Sequence, residues 1–346
     1  MIAVNGRFLR QRVTGVQRYA RELTRRLGPQ VRLVAPGVAA EGLPGHLWEQ
    51  AVLPARLSRR DLLWSPANTG PLAVARQVVT IHDLAAVEHP EWFSGAFARW
   101  YAIFWPRLVR RVEAVLTVSE FSKGRLVERF GLPPERVRVV PNGVDERFAP
   151  QEEEAIQTVR RRLGLPEAYV LMVASHDPRK NLARVLQAWR SIQKAYEGVE
   201  LVVAGAAHRA FRVPQASEPG PANSLSRVRF IGYVDDADLP ALYAGARLFV
   251  YPSLYEGFGL PVLEAMACGV PVVTSATGPM PEVAGDAAIL VDPHDPEAIA
   301  DAVRRLLDSA QLRSALGSKG VARARLFTWD KAAAELRRAL DELAGA

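Results

Sequence analysis

The sequence predicts an α/β protein of two domains, each a parallel β-sheet with helices between its strands. The chain has 346 residues, enough for two hydrophobic cores. Short apolar runs alternate with helix-like segments, and strands that alternate with helices form parallel sheets. Hydrophobic residues make up 49% and charged residues 23% of the chain, proportions typical of a globular protein.

Six short apolar runs predict the strands of an N-terminal domain, at residues 1–5, 31–35, 62–66, 78–81, 114–118 and 137–140. The segment from Arg7 to Val13 is expected to be an arginine-containing loop. The capping-box pattern Thr14-x-x-Gln17 then begins a helix. Gly15, at the start of that helix, lets the backbone come close to a ligand.

His82 directly follows the run 78–81, so it stands at the carboxyl end of a predicted strand. Ligands of open parallel sheets bind beyond these strand ends. A lone histidine is more often structural, but this position makes His82 a candidate for ligand contact in a cleft between the two domains.

Residues 91–112 combine aromatic residues and arginines at roughly helical spacing, and Pro106 is expected to kink the helix that they form. Two interpretations remain open. The aromatic residues pack into the core, or the segment forms a surface for an acceptor or for lipid headgroups, which suit Trp, Tyr and Arg. The residues are Trp92, Phe93, Phe97, Arg99, Trp100, Tyr101, Phe104, Trp105, Arg107, Arg110 and Arg111.

Six further apolar runs predict a second sheet, at 169–174, 201–204, 228–231, 246–251, 270–274 and 288–291. Helices are expected to end near 194 and to cover 296–308, 310–325 and 329–344. The turn sequence Pro141–Asp145 and the acidic helix start Glu152–Glu154 place the domain boundary near 149–155. The predicted domains are 1–150 and 151–328, followed by a helix at 329–346, and 207–226 is expected to be a mobile loop.

One strand–loop–helix unit of the second domain carries the clearest chemistry. The run 246–251 precedes a loop with Glu256, Gly257 and Gly259, and Pro261 suits the first position of the following helix. Free N–H groups at a helix start bind anions, above all phosphate. Glu256 and Glu264 flank this anion site, and carboxylates suit the hydroxyl groups of a sugar and a ribose. The unit predicts a site for a nucleoside diphosphate-sugar, although such a loop also occurs without function in doubly wound proteins.

Arg179 and Lys180 stand side by side after the run 169–174 and before a helix. Two cations at this place add positive charge to an anion site. Adjacent basic residues are more often a solvated pair, and the local pattern by itself does not exclude that interpretation.

The formal charge of +7 is unevenly distributed. Residues 1–150 carry 22 Lys and Arg against 13 Asp and Glu, a net charge of +9, and residues 151–346 carry 22 against 24, a net charge of −2. The basic half suggests an acidic partner, which is a lipid phosphate, an anionic membrane surface or nucleic acid. A genome rich in G and C explains the excess of Arg over Lys, but not the asymmetry.

Several sequence features argue against other classes of protein. The single cysteine, Cys268, excludes a disulfide framework and fits a reducing cytoplasm. We expect neither a signal peptide nor a transmembrane helix, because no run of 18 apolar residues is present. The six histidines are dispersed, and neither zinc-type spacing nor an Asp-x-Asp motif occurs, so we expect no metal and no other cofactor.

Four segments resemble the signature of the retaining glycosyltransferases of family 4, which have the GT-B fold. They are Glu256-x7-Glu264 with Gly-Phe-Gly-Leu-Pro between the two acids, Arg179-Lys-Asn-Leu182, Pro141–Asp145 and His82-Asp83. The resemblance extends over essentially the whole chain. Segments of the first half, such as Thr80-Ile-His-Asp-Leu84, look like the branch that contains O-antigen mannosyltransferases.

The resemblance implies two Rossmann-like domains that face a cleft, with the C-terminal helix crossing back to the first domain. It implies metal-independent transfer of a hexose with retention of anomeric configuration, and the likeness to the O-antigen mannosyltransferase branch implies mannose from GDP-mannose. In the family the first Glu meets the donor sugar, the second meets the ribose, the Arg and Lys clamp the pyrophosphate, and the His contacts the sugar. The predicted catalytic residues are His82, Arg179, Lys180 and Glu256, and the further donor contacts are Gly15, Gly232, Tyr233, Gly257, Phe258, Gly259, Leu260 and Glu264.

The expected partners are a nucleotide-sugar donor and a glycan or lipid-linked glycan acceptor in surface polysaccharide synthesis. The basic N-terminal domain suggests peripheral contact with an anionic membrane, at the inner face of the plasma membrane of a cytoplasmic protein. Nucleic acid is not expected, because no nucleic-acid-binding motif is present. Two alternatives remain: a nucleotide-sugar epimerase of the same fold, which needs no acceptor, and a non-catalytic protein that binds the nucleotide sugar without turning it over.

Overall fold

A computed structural model describes residues 1–37, 41–174, 177–205 and 227–345. Within these ranges the strands form two six-stranded sheets, and neighbouring strands in both are parallel, as predicted. The segment 207–226, expected to be a mobile loop, lies outside the described residues.

The first sheet has the strand order β2-β1-β3-β4-β5-β6. Val4 of the second strand in this order lies opposite Leu33 on one side and Trp64 on the other. Central strands are buried on both faces, which explains why they appear in the sequence as continuous apolar runs. The strands are β1 (Ile2–Asn5), β2 (Val31–Val34), β3 (Leu62–Ser65), β4 (Gln77–Thr80), β5 (Ala114–Thr117) and β6 (Val137–Val139).

The second sheet has the order β12-β11-β10-β7-β8-β9. Its two central strands pair with Leu248 opposite Val170, so their carboxyl ends lie side by side. The strands are β7 (Ala168–Val173), β8 (Val199–Ala204), β9 (Val228–Gly232), β10 (Leu248–Tyr251), β11 (Val272–Ser275) and β12 (Ala288–Val291).

The helices connect these strands in the alternating order that the sequence predicts. The first begins after Thr14, whose backbone N–H donates to Gln17 Oε1 over 3.2 Å, as the capping box predicts. The helices are α1 (Gly15–Leu27), α2 (Gly42–Leu47), α3 (Leu53–Ala55), α4 (Ala85–Glu88), α5 (Gly95–Arg111), α6 (Glu120–Phe130), α7 (Glu153–Leu163), α8 (Leu182–Ile192), α9 (Leu239–Ala244), α10 (Leu260–Ala267), α11 (Met280–Ala284), α12 (Pro296–Asp308), α13 (Ala310–Ala324) and α14 (Trp329–Gly345).

The chain divides into two compact units. The N-terminal unit comprises Met1–Glu88, Ala96–Gly143 and Phe327–Ala346, and the C-terminal unit comprises His89–Gly95 and Val144–Leu326. These boundaries lie a few residues before those predicted at 150 and 328, and the short segment His89–Gly95 was not foreseen. The segment packs with its own unit, since the His89 and Tyr255 rings lie 5.3 Å apart.

The C-terminal helix α14 belongs to the N-terminal unit, which confirms its predicted return to the first domain. Asp330 accepts a hydrogen bond from Arg26 Nε over 2.6 Å, and Glu342 accepts one from Arg138 Nη1 over 2.5 Å. Gly143 lies so close to the start of the helix that an added Cβ would be 2.2 Å from the backbone nitrogen of Trp329. This approach explains why the first boundary falls at Gly143.

The core of the C-terminal unit lies between its sheet and two helices. Val170 and Val250 of the central strands pack in one cluster with Trp189 of α8 and Leu306 of α12. Full burial of an apolar side chain of this size contributes about 1.5–3 kcal/mol. The packing fixes β7 and β10 and therefore the residues that follow them.

Helix α5 confirms the core interpretation for one part of the aromatic segment and leaves the other part exposed. It begins at Gly95 rather than Glu91, because Pro90–Trp92 form a separate 3-10 turn. Phe104, Trp105, Leu108 and Val109 are buried, whereas Trp100 is 39% and Ile103 51% exposed. The helix continues through Pro106 to Arg111. One face of α5 belongs to the core and the other to the surface.

The sequence predicted a loop for the arginine-containing segment after β1. The structure instead has a 3-10 helix there, at Gly6–Arg10. Asn5 caps it, since its side chain accepts a hydrogen bond from the Arg7 N–H over 3.3 Å. The turn buries Arg7, whose residue exposure is 7%.

A buried ionic cluster surrounds Arg7. Its Nη1 lies 3.1 Å from Glu49 Oε2, and the other oxygen of Glu49 accepts hydrogen bonds from Asn5 over 2.7 Å and Thr69 over 3.0 Å. Burial and the Arg7 charge lower the pKa of His46 to about 4, so its neutral ring accepts from Arg7 Nη1 over 3.1 Å. Burial raises the pKa of Glu49, and the Arg7 charge opposes that change. The cluster joins the carboxyl ends of β1 and β3 to the π-helical turn Trp48–Val52.

Candidate functional site

The predicted strand–loop–helix unit is present in the C-terminal unit. Strand β10 is fully buried and ends at Tyr251, and α10 begins at Leu260. Pro261 occupies the second helical position, not the first as predicted, because Gly259 is the N-cap and Leu260 follows it. The first N–H groups of a helix have no carbonyl partner within the helix, so this turn can donate to an anion.

Gly259 occupies a backbone conformation that favours glycine. Its φ is +108°, and an added Cβ would lie 2.3 Å from Met280 Cε and 3.0 Å from Met280 Sδ. The loop can therefore approach the start of α10 closely only because no side chain is present there.

Lys180, Tyr251 and Glu256 form a hydrogen-bonded triangle. Lys180 Nζ lies 2.5 Å from Glu256 Oε1 and 2.5 Å from the Tyr251 hydroxyl, which donates to Glu256 Oε1 over 2.7 Å. Burial, followed by the Glu256 charge, raises the pKa of Tyr251, so the phenol stays protonated. Lys180 comes from the 3-10 turn Pro178–Lys180 after β7, and the triangle closes because β7 and β10 are neighbours. A cation and a carboxylate thus lie together where ligands of parallel sheets bind.

Arg179 lies in the same turn but contacts a different carboxylate. Its Nε and Nη2 donate to Asp177 Oδ2 over 2.9 Å and 2.7 Å, and its guanidinium lies 5.7 Å from the centre of the Phe93 ring. Its backbone carbonyl accepts from the Leu254 N–H over 2.7 Å. The turn that carries Arg179 is therefore tied to the loop after β10.

Asn181 positions this turn, a role that the sequence analysis did not assign. It has a φ of +63°, and its Nδ2 donates to the carbonyls of Pro252 over 2.9 Å and Pro293 over 2.7 Å. These bonds link the start of α8 to the loops after β10 and β12. The tetrad Arg-Lys-Asn-Leu contained the signal, since Asn tolerates the left-handed region better than most residues.

Glu264 is 8% exposed and accepts a hydrogen bond from the Tyr243 hydroxyl over 3.1 Å. It lies on α10, one helical turn before Cys268, whose thiol pKa is raised by burial and by the Glu264 charge. Cys268 is buried at the end of this helix. Tyr243 was missed as a partner of Glu264 because it belongs to the preceding helix, α9.

The other predicted nucleotide contacts lie at different places in the C-terminal unit. Gly257 and Phe258 are buried in the loop between β10 and α10, next to Gly259. Gly232 ends β9, with a φ of +69°, and its carbonyl accepts from the Gly205 N–H over 2.7 Å. Tyr233 follows with 61% exposure. Strands β7 and β8 separate this sheet edge from β10.

His82 and Gly15 belong to the N-terminal unit. His82 is buried, its Nε2 lies 2.9 Å from the Pro66 carbonyl, and its ring meets the edge of Tyr19 at 4.8 Å. Burial lowers the pKa of His82, so the ring is neutral and donates from Nε2. Gly15 is exposed as the first residue of α1.

Within the described ranges, no group of three or more His, Cys, Asp and Glu side chains could hold a metal ion. In the same part of the chain, no helix is both long and apolar enough to cross a bilayer.

Two protein-family models match the chain. The model described as Glycosyl transferases group 1 matches residues 156–323, and the model described as Glycosyltransferase Family 4 matches residues 62–148. The first match contains the Lys180–Tyr251–Glu256 triangle, and the second contains His82.

Curated relatives give the same assignment. The chain is 34% identical over 265 residues to O-antigen chain mannosyltransferase B of Escherichia coli, covering 75% of this chain and 68% of the relative. It is 33% identical over 298 residues to an MMP alpha-(1->4)-mannosyltransferase of Mycolicibacterium hassiacum, with coverages of 78% and 66%. It is 35% identical over 329 residues to a D-inositol 3-phosphate glycosyltransferase of Salinispora arenicola, with coverages of 85% and 73%.

Solved structures confirm the fold. WaaG, a glycosyltransferase involved in lipopolysaccharide biosynthesis, superposes with a TM-score of 0.76 at 19% identity and is covered completely, as is this chain. Anabaena HepE in complex with UDP gives a TM-score of 0.76 at 19% identity, with 99% of each chain covered. At these identities the likeness shows the fold alone, which is GT-B as predicted. With its two family-model matches and its curated relatives, the chain belongs to the family 4 glycosyltransferases and is a hexosyltransferase near the branch that contains O-antigen mannosyltransferases.

Proposed function

We propose that this glycosyltransferase transfers mannose from GDP-mannose to a glycan or lipid-linked glycan, with retention of anomeric configuration and without a metal ion. The observation that carries the proposal is the Lys180–Tyr251–Glu256 triangle beside the N-terminus of α10. The curated mannosyltransferases support the choice of sugar. The proposal includes an acceptor at an anionic membrane surface on the cytoplasmic side.

In this proposal the protein itself stabilises the charge that develops on the departing diphosphate. Lys180 and the first N–H groups of α10 supply the positive field in place of a metal, and Arg179 adds a second cation from the same turn. Glu256 exchanges its bond to Lys180 for sugar hydroxyls, and Glu264 accepts from the ribose. His82 is the proposed contact of the sugar from the N-terminal unit.

A second candidate acceptor follows from one relative. The D-inositol 3-phosphate glycosyltransferase has an identity to this chain of 35% and a coverage of 85%, values as high as those of the mannosyltransferases. A small phosphorylated polyol therefore belongs in the acceptor screen beside lipid-linked glycans.

The test is a thermal-shift and calorimetric panel of GDP-mannose, UDP-glucose, UDP-GlcNAc, dTDP-rhamnose and the free nucleotides, with and without EDTA. We expect GDP-mannose to stabilise the protein equally in both conditions, because a ligand that binds only the folded state raises the melting temperature. Transfer is then measured with each acceptor, and the anomeric configuration of the product is read by NMR.

Each part of the proposal has its own contradicting result. If a different nucleotide sugar stabilises the protein, that nucleotide sugar is the donor and GDP-mannose is not. If the stabilisation is lost in EDTA, donor binding depends on a metal ion. A sugar isomerised without acceptor would identify an epimerase. Donor binding without transfer to any acceptor would favour the non-catalytic alternative.

Gly259→Ala is expected to weaken donor binding about tenfold, since a non-Gly residue in a strained conformation costs about 1–3 kcal/mol. Calorimetric titration with the donor measures the change. The flexible end of Met280 can turn away, so the backbone at φ +108° is the larger cost. Adding Met280→Ala should therefore restore little affinity.

Gly278→Ala is the matched control, because Gly278 has a φ of +67° and no atom within 4 Å of an added Cβ. This variant should lose some stability and keep its donor affinity. If Gly259→Ala binds the donor as tightly as the wild type, the loop conformation does not determine binding.

A further inference from the structure

One side of helix α5 is exposed and joins apolar and basic residues. At about 100° per residue, the exposed arginines and the exposed large apolar side chains fall within about one third of the helix circumference. Trp100 and Ile103 lie within this sector, and the buried residues of the helix occupy other positions. This surface, called here the α5 face, consists of Arg99, Trp100, Ile103, Arg107, Arg110 and Arg111.

The α5 face carries positive charge without compensating acids. The helix sequence from Gly95 to Arg111 contains no Asp or Glu. Among the residues that the structure describes, Arg99, Arg110 and Arg111 form no ion pair. Arg107 donates to the Ile103 carbonyl over 2.5 Å, which keeps its side chain on the same face. The charges remain available to an external partner.

Helix α2 extends the apolar part of this surface. Leu43 is 70% and Leu47 60% exposed, and they are one helical turn apart. His46 of the same helix packs against the Trp100 ring, with centroids 5.0 Å apart. The His46 ring is neutral at physiological pH, because its pKa is about 4. The two helices together expose Trp, Ile and two Leu side chains beside four arginines.

The chemistry of the surface selects its occupant. Trp suits the interface between water and lipid, aliphatic side chains enter the acyl boundary, and Arg side chains bury their stems while their charge reaches anionic headgroups. A second copy on a twofold axis would place arginine against arginine, and like charges oppose such contact. The phosphates of a nucleic acid would face the exposed Trp100, Ile103 and leucines, and apolar side chains offer phosphates no favourable contact.

We propose that the α5 face, together with Leu43 and Leu47, is the surface through which the N-terminal unit docks on an anionic lipid bilayer. The proposal rests on the peripheral membrane contact included in the proposed function and assigns it to named residues. Docking on a bilayer does not depend on which donor the protein binds or on whether it transfers a sugar.

The test uses the full chain and sedimentation with vesicles of phosphatidylcholine, alone or with phosphatidylglycerol. We expect binding only to the anionic vesicles and weaker binding in high salt. Trp100→Ser with Ile103→Ser should weaken it at least about tenfold by removing apolar contact. Arg99→Gln with Arg110→Gln should weaken it about thirtyfold, because each arginine near an anionic surface contributes independently.

Matched controls lie on the C-terminal unit. Phe230→Ser removes an apolar side chain that is 54% exposed, similar to Ile103, and Arg161→Gln with Arg190→Gln removes the same charge as the basic pair. Both controls should bind vesicles as the wild type does. Equal losses in controls and α5-face variants would overturn the proposal, as would equal binding to neutral vesicles. A change of oligomeric state in the face variants with unchanged vesicle binding would assign the surface to a second copy instead.

Two further measurements keep the outcomes separable. Ile103→Ser and Leu43→Ser are each tested alone, since these side chains are largely exposed and their loss leaves the fold intact. Thermal shift by the donor is measured on every variant and should not change. If the protein binds vesicles but no donor changes its melting temperature, the proposed function is contradicted and the docking surface is supported. If a donor raises the melting temperature but the protein does not bind vesicles, the docking surface is contradicted and the donor site is supported.

Discussion

Lys180→Ala is expected to lower kcat about 10²- to 10³-fold, the range found when one charge-stabilising group is removed from an active site. The structure places Lys180 Nζ within 2.5 Å of both Glu256 and the Tyr251 hydroxyl, at the carboxyl ends of β7 and β10. In the proposed mechanism this ammonium group stabilises the leaving diphosphate, and no other cation shares its position in the triangle. Steady-state transfer kinetics with saturating donor measure the effect.

Two comparisons isolate the charge. Lys194→Ala removes an exposed lysine from the same unit and should leave kcat unchanged. Tyr251→Phe removes a hydrogen bond to Glu256 but keeps the ammonium group, so its loss should stay below about tenfold. If Lys180→Ala retains a kcat within a few-fold of the wild type while its melting temperature is normal, Lys180 does not stabilise the transition state.

The strands were predictable because burial on both faces leaves a continuous apolar run in the sequence. Strand β10 shows the reason, since all four of its residues are buried and no solvent face interrupts the run with polar residues. The loop after β10 was predictable because glycine and proline between a strand and a helix indicate a loop or turn. The position of Pro261 was wrong by one residue, which local pattern does not resolve.

The pairing of side chains was not predictable, because it depends on how distant segments meet. The sequence places Arg179 and Lys180 side by side, yet one pairs with Asp177 and the other with Glu256, 76 residues later. Tyr251 looked like the last residue of a buried strand, and only the register of β7 and β10 places its hydroxyl in the site. A motif in the sequence identifies candidate residues, but the side chains that pair with them can be predicted only when the order of the strands in the sheet is known.

The Arg7–Glu49 pair was missed for the same reason, since its members are 42 residues apart and neither belongs to a motif. The segment from Arg7 to Val13 was expected to be a loop. The burial of Arg7 follows from the 3-10 turn at Gly6–Arg10 and from the π-helical turn at Trp48–Val52, which brings the carboxylate inward. Single π-helical turns often mark functional sites, which makes this cluster worth a direct test.

Glu49→Ala is expected to destabilise the protein by about 3–5 kcal/mol, because it leaves a buried guanidinium without its carboxylate. The two side chains are only 8% and 1% exposed. Asn5 and Thr69 lose their acceptor in the same variant, since both donate to Glu49 Oε1. Urea unfolding measures the free energy, and Glu200→Ala, which breaks the more exposed pair with Arg229, should cost less than about 1 kcal/mol.

A double variant, Arg7→Met with Glu49→Leu, then separates stability from function. Replacing a buried ion pair with apolar side chains of similar volume is often neutral or stabilising, so this variant should recover the part of the free energy that Glu49→Ala loses by leaving Arg7 without its carboxylate. Asn5 and Thr69 still lack their acceptor in the double variant. If it is stable but transfers sugar poorly while its donor affinity is normal, the pair positions the segment between β1 and α1 for the reaction. If Glu49→Ala is as mild as Glu200→Ala, the buried pair contributes no more than a surface one, and the proposed cost of the orphaned Arg7 is wrong.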